Sequence, residues 1–358
     1  MPRFTDASST SQHPLPPGEG GVGPCHWLER QWQGLTPWHI LLWPISLLFR
    51  GLVALRRLLY QINLLPSYRL PVPVIVVGNL TVGGTGKTPL VLWLAEFLHA
   101  RGYRPAIVSR GYGSRAQRPQ SVSATSDPAL AGDEPVLLAR RAQCPVWVGA
   151  RRVEVARALL TARPDCDILI SDDGLQHYAL QRDVEIIVVD GKRRFGNGWL
   201  LPAGPLREPV SRMKSADAIV INGGGIAPGE YAMRLIGATF RHLRNPVSAS
   251  AADFSGKRLH AVAGIGYPSH FFAHLRQLGL DVVEHPFPDH HSFQPHELQF
   301  DNADAILMTE KDAVKCVAFA PENSWALAVD AEVDAALGNK ILEKLGRVHT
   351  HFTTALPR

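Results

Sequence analysis

Cysteine is scarce in this chain: Cys25, Cys144, Cys166 and Cys316 are the four in 358 residues, and no two have CxxC spacing. That argues against a zinc site and against a disulfide framework, so a reducing, cytosolic setting is the simpler expectation. One-sided charge is lacking too. Thirty-seven Lys and Arg against 32 Asp and Glu leave +5, a mild balance that suits anionic lipid, nucleotide phosphate or nucleic acid and selects none of them. There is no internal repeat. There is also no uninterrupted apolar run of the roughly 20 residues that a spanning helix needs. The most apolar stretch, Thr36 to Pro66, is broken by His39, Pro44, Arg50, Arg56 and Arg57, and an arginine at bilayer depth costs about 2.5–3.5 kcal/mol. Spanning is therefore not expected. No small-residue cleavage chemistry follows that stretch, which speaks against a cleavable signal.

What is present has a clear order. Residues 1–35 are rich in Pro, Gly and Ser and carry no apolar period, so a tail without fixed structure is expected. In residues 36–66, Arg50 and Arg57 fall on one helical face, while Trp38, Trp43, Leu47, Leu48, Leu55 and Leu59 supply apolar bulk. This predicts a helix lying in a membrane interface, with burial against the rest of the protein as the alternative. From about residue 67 to 249, short β-branched runs such as VPVIVVGN, PAIVSRG, DILISDD and VEIIVVDG alternate with helical periods. That alternation predicts an α/β fold with a mostly parallel sheet covered by helices on both faces. After Ser250 the pattern restarts with strand, glycine turn, helix and strand, predicting a smaller α/β lobe over 250–358 that ends in the helical period EVDAALGNKILEKLGR.

The strongest local signal is VIVVGNLTVGGTGKTPLVLWLAEFLHARG, Val74 to Gly102. An apolar strand runs into Gly83, Gly84, Thr85 and Gly86 and then into a helix, so successive backbone N–H groups can face one concavity at the positive end of the helix dipole. Such a P-loop-like turn cradles phosphate; Lys87 would reach the terminal phosphates and the Thr88 hydroxyl would take a position on Mg²⁺. The strict GxxxxGK(S/T) pattern is not met, because Thr81 stands where its first glycine belongs. The competing reading is a glycine-rich strand-to-helix turn with an incidental lysine. Open α/β sheets gather ligands at the carboxyl ends of strands, and DILISDDGLQH puts Asp172 and Asp173 at such an end. Paired carboxylates there can hold the ion or its bound water; an acidic turn is the alternative. Asp133, in AGDEP, begins a helical period with Glu134 and Pro135 and reads equally as helix cap or as base. EHPFPDHHSFQPHEL crowds His285, His290, His291 and His296 near Asp289 and Glu297. Its spacing matches no zinc signature, so a histidine engaged in proton transfer or phosphate binding is expected, with an exposed loop as the alternative.

Seven motifs occur in a fixed order: VGNLTVGGTGKTP, SRGYG at 109–113, GDEP at 132–135, SDDGLQH at 171–177, LLPAGPLREP at 200–209, FPDHHSF at 287–293 and TEKDAVK at 309–315. Together they resemble the tetraacyldisaccharide 4'-kinases of lipid A biosynthesis, from about Trp38 to the last helical period. The resemblance implies ATP, Mg²⁺, a lipid A disaccharide precursor as acceptor, the cytoplasmic face of a bacterial inner membrane, and no nucleic acid; it leaves the oligomeric state open. Residue by residue it implies that Gly83, Gly84, Thr85, Gly86, Lys87 and Thr88 serve the ATP phosphates and Mg²⁺. Asp133 would activate the sugar hydroxyl, and His290 would pair with it to raise its basicity. Asp172, Asp173 and Glu208 would organise Mg²⁺ and its waters, Arg207 would address phosphate, and Arg110 with nearby glycines would meet substrate. TEKDAVK would help position nucleotide or close the lobes.

Two other classes use part of the same pattern. A membrane-associated nucleotide switch, ATPase or GTPase, needs the cradle and the Asp pair but no acceptor-specific base. An ATP-dependent ligase of cell-wall type shares the glycine turn and would release phosphate only when an amino acid or peptide is supplied.

Overall fold

The protein was analysed as a computed structural model that describes residues 32, 34, 36–111, 116 and 118–354, with side chains as far as 347. The expected 1–35 tail lies outside the described residues apart from Trp32 and Gly34, as do Tyr112 and Gly113 of the SRGYG motif. In chain order the elements are α1 (Trp38–Gln61), β1 (Val74–Gly78), α2 (Lys87–His99), β2 (Pro105–Ser109), β3 (Gln120–Val122), α3 (Pro128–Ala131), α4 (Asp133–Arg141), β4 (Val146–Val148), α5 (Arg152–Ala162), β5 (Ile168–Asp172), β6 (Val184–Asp190) and β7 (Ala218–Asn222). They continue with β8 (Tyr231–His242), β9 (Ser248–Ser250), β10 (Leu259–Ala263), α6 (Pro268–Gln277), β11 (Val282–Pro286), β12 (Ala305–Thr309), α7 (Glu310–Cys316), β13 (Ser324–Val333) and α8 (Ala335–Thr354).

One mixed sheet runs in the order β11-β10-β12-β13-β8-β7-β6-β1-β5-β2-β4-β3, with β9 paired to β8. Among the described strands only β13 with β8, β3 with β4 and β8 with β9 are antiparallel. The central strands β1 and β6 are buried along their whole length, as expected of β-branched runs covered on both faces. Helix α2 lays Leu90, Val91, Leu94, Ala95 and Leu98, a single face at helical spacing, into the core around β1. A second core, with Phe240, Phe254, Phe272, Leu275 and Leu307, fills the smaller C-terminal α/β lobe. Helix α8 follows β13 back to the first lobe, where Leu337, Ile341 and Leu345 join the larger core.

The antiparallel β8–β13 pair is the joint between the lobes. In a flat sheet it would send the carboxyl ends of β10 and β12 to the edge opposite those of β1, β5 and β6. The two long strands carry a register shift between Ala328 and Asp330. Opposite it stands Gly237, where any Cβ would meet the Ala328 carbonyl oxygen at 2.4 Å. Bulges and strand glycines let a ribbon bend, and residues that follow β10 and β12 line one cavity with those that follow β1 and β5.

Helix α1 docks on the first lobe by a narrow face. His39 and Ser46 are buried; Ser46 Oγ donates to the Leu200 carbonyl at 2.8 Å, and the His39 ring lies 2.9 Å from Asn197 Nδ2. Trp43 meets Trp199 edge-on. The opposite face is exposed and apolar, with Leu41, Ile45, Leu48, Leu52 and Leu55 in a stripe at three- and four-residue spacing. By length and composition its 24 residues suffice to cross a membrane.

Candidate active site

The turn after β1 has the conformation its glycines imply. Gly83 and Gly86 both sit at φ of +90°, where a side chain is strained, and a Cβ on Gly86 would press on Asn222 Nδ2 at 2.6 Å. Gly86 is the residue before the first turn of α2. Lys87 Nζ lies 3.2 Å from Asn79 Oδ1 and 3.5 Å from Asp173 Oδ1. The Thr85 hydroxyl is buried without a partner, and the N–H groups of Gly84, Thr85 and Gly86 donate to no acceptor among the described residues. Unpaired donors converging beside a lysine at a helix start fit a polyanion.

The two aspartates after β5 have different surroundings. Asp172 is fully buried and accepts from Ser109 Oγ at 3.1 Å, while buried Arg152 donates to its backbone carbonyl at 2.8 Å. Burial, reinforced by Glu134 and Asp173, raises the Asp172 carboxyl. Asp173 turns into the cleft at φ of +46°, an uncommon conformation that Asp tolerates better than most residues. It stands between Lys87 and Arg207, whose Nη1 is 3.3 Å from Oδ2. Burial works to raise Asp173, but Lys87 and Arg207 outweigh it and hold the carboxylate below its usual range.

Across the cleft, α4 begins at Asp133 after Gly132, which has φ of +93° and packs against Gly111. Asp133 Oδ1 accepts from the Glu134 N–H at 2.9 Å, but the residue in the capping position is Gly132 and no side chain caps the helix, so Asp133 is a first-turn residue and the helix-cap reading is not met. Its Oδ2 lies 3.2 Å from His290 Nδ1 and 4.0 Å from both Lys311 Nζ and Lys315 Nζ. Burial would raise the Asp133 carboxyl, yet the His290 hydrogen bond and the Lys311 charge hold it below the ordinary value. His290, at φ of +59°, is raised chiefly by its hydrogen bond to Asp133. Beside His290 and the two lysines the Asp133 carboxyl is thus held toward its ionised form. Lys311 also bridges Glu134 at 3.2 Å and Asp289 at 3.4 Å, and burial notwithstanding it stays firmly cationic among these carboxylates. His291 belongs elsewhere, paired to Glu297 at 2.9 Å. Arg141 on α4 ties Glu310 on α7 at 2.6 Å, fixing the two helices that carry Asp133 and Lys311.

Gly83 to Thr88, Asp173, Arg207, Glu134, Asp289, His290 and Lys311 line one cavity of about 980 Å³, and Asp133 lies behind His290. Thr88 and Asp173 face the same space as the cradle, which suits a magnesium ion held by a hydroxyl, a carboxylate and phosphate oxygens. No group of three or more His, Cys, Asp or Glu side chains converges on a metal position among the described residues. Asp172 stands behind Asp173 and does not line the cavity. Nor does Glu208, whose carboxylate accepts from Tyr178 Oη at 2.5 Å and pairs with Arg212 at 3.3 Å. Exposed Arg110 does not line it either. Sequence reasoning missed Asn79, Arg193, Asn222 and Tyr267, which surround the cradle; only the position of Asn79 and Asn222 at strand ends hinted at them.

The family model described as tetraacyldisaccharide-1-P 4'-kinase matches residues 38–346. A tetraacyldisaccharide 4'-kinase from Methylobacillus flagellatus is 54% identical over 323 residues, covering 90% of this chain and 96% of its own length. Another from Nitrosococcus oceani is 52% identical over 317 residues, with 88% and 93% covered. Among solved structures, the LpxK of Aquifex aeolicus, described as an "apo" form in complex with ATP, superposes with a TM-score of 0.73 at 29% identity. That match covers 86% of this chain and 99% of the other.

Proposed function

The chain belongs to the tetraacyldisaccharide-1-P 4'-kinase family, and from that premise we propose that it transfers the terminal phosphate of ATP to the 4'-hydroxyl of a tetraacylated glucosamine disaccharide 1-phosphate. The observation that carries this reading is the meeting of the Gly83–Thr88 cradle with the Asp133–His290 pair at one cleft. A nucleotide switch has no use for the second half of that arrangement.

Phosphoryl transfer asks a protein mainly for positioning and charge stabilisation. The cradle N–H groups and Lys87 bind the phosphates, and Arg207 adds a second cation. Thr88 and Asp173 would hold Mg²⁺, with Asp172 supporting them from behind; the ion, when bound, would neutralise charge on the phosphate oxygens. As the sugar oxygen forms its bond to the terminal phosphorus and the bond to ADP breaks, the hydroxyl proton passes to Asp133. His290, with its raised proton affinity, can take that proton on. Lobes 67–249 and 250–358 close over the nucleotide. The exposed apolar face of α1 lies in the cytoplasmic surface of the inner membrane, so the acyl chains need not leave the bilayer.

Purified protein given radiolabelled ATP, Mg²⁺ and the disaccharide 1-phosphate in vesicles should place label in lipid. Bound ATP without labelled lipid would refute the assignment.

A further inference from the structure

Three consecutive carbonyls of the cradle are each taken by a side chain from a different part of the fold. Asn79 Nδ2 donates to Gly83 O at 3.4 Å, Arg193 Nη2 to Gly84 O at 2.6 Å and Asn222 Nδ2 to Thr85 O at 3.1 Å. A peptide unit is planar and trans, so a carbonyl pinned on one side directs the N–H of the next residue to the other side. The three N–H groups so directed belong to Gly84, Thr85 and Gly86, the ones that donate to nothing among the described residues. These contacts set the cradle before any anion arrives.

Arg193 differs from the two asparagines. Asp190, at the end of β6, grips its Nε at 3.1 Å and Nη2 at 2.9 Å and also accepts its backbone N–H at 3.0 Å. With its charge matched by Asp190 and its Nη2 on a carbonyl, Arg193 holds cradle backbone and does not line the cavity. Its other face is covered by Tyr267, with the ring centroid 3.5 Å from Cζ. Tyr267 precedes α6 in the second lobe, and its ring also approaches Gly83, where a Cβ would lie 3.2 Å from it. The Arg193 plane is thus clamped between the strand end of one lobe and an aromatic ring of the other.

We infer that Arg193 is a positioning residue that presets the Gly84–Thr85 peptide plane for phosphate, and that Tyr267 couples this preset to closure of the second lobe. The inference rests on the reading that the cradle takes nucleotide phosphates. Tightening of ATP and closing of the cleft then become one event. A ring that leaves Arg193 leaves the guanidinium held by Asp190 from one side alone, and the aim of the Thr85 N–H loosens.

The test is calorimetric titration of the full chain with Mg-ATP, beside the steady-state kinase assay. Losing a charge-assisted hydrogen bond, Arg193→Ala should weaken ATP about tenfold or more while the KM for lipid stays unchanged. Tyr267→Ala should weaken ATP by a smaller factor, and Tyr267→Phe, which keeps the ring, should restore most of that loss. The double variant Arg193→Ala/Tyr267→Ala should bind ATP no more weakly than Arg193→Ala alone. Wild-type ATP affinity in Arg193→Ala, or effects of the two residues that simply add, overturns the inference. Should Arg193→Ala fail to fold, the Tyr267→Ala and Tyr267→Phe pair decides, since equal ATP affinity in those two overturns it. A wild-type protein that binds ATP but labels no lipid refutes the kinase reading and leaves the clamp standing; one that binds no ATP refutes both.

Discussion

The His290 imidazole and the Asp133 carboxylate are 157 positions apart in the chain and 3.2 Å apart across the cleft. Neither lobe holds the pair alone. Positioned general bases contribute about 10²- to 10⁴-fold, so Asp133→Asn should lower kcat by that order with ATP affinity retained. His290→Ala should lower kcat less, and the double variant should be close to Asp133→Asn, because the two act as a unit. Calorimetry with Mg-ATP and steady-state rates on the same preparations separate this from a folding defect.

The same pair makes stability depend on pH at both ends. Asp133 is depressed in the folded protein, so its contribution is present above its unfolded value and is lost as pH falls through the lower folded value. His290 is raised, so its contribution is full below its unfolded value and is lost as pH rises through the higher folded one. The difference in Tm between wild type and His290→Asn should therefore be largest from about pH 4 to about pH 6.5. It should shrink on either side, and a difference that grows steadily toward alkaline pH would contradict the pairing.

Lys87 balances Asp173 while it serves the cradle. Lys87→Met should reduce kcat/KM by at least about 10²-fold through lost charge stabilisation. Removal of divalent cations with EDTA should abolish transfer in the wild type, and added Mg²⁺ should restore it. Asp173→Asn should raise the Mg²⁺ concentration for half-maximal rate without raising the KM for lipid. Titration of activity against free Mg²⁺ reads both effects.

The stripe Leu48, Leu52 and Leu55 on α1 faces away from the protein. Each leucine is worth about 1.5–3 kcal/mol when fully buried, so changing all three to Ser should cut vesicle binding by about 10²-fold or more. Tm should hardly move, because the docking contacts of His39, Trp43 and Ser46 lie on the other face. Flotation with anionic vesicles measures the first quantity and thermal unfolding the second.

Sequence pattern revealed those features that are local. Buried β-branched strands, the glycine turn and the aspartates after β5 each declare themselves within a few residues. Contacts set by the packing of distant elements were not legible. Nothing near Arg193 in the chain announces Tyr267, and nothing near Arg141 announces Glu310. Glu208 shows the limit at single-residue scale. At the bend after Leu206, Arg207 enters the cleft while Glu208 turns to Tyr178 and Arg212. His290 and His291 part as well, at a turn where His290 has a φ of +59°, one toward Asp133 and the other toward Glu297.

Helix α8 seals the hydrophobic interior around α2, with Gly338 so close that a Cβ would strike the Phe97 ring at 2.4 Å. The chain visits the first lobe, builds the second and only then returns to finish what it began. A ribosome making this protein must emit both lobes and α8 before the nucleotide-binding half can become watertight. Maturation is thereby deferred until α8 has been translated, and a product terminated before it would expose Leu90 and its neighbours to chaperones and proteases.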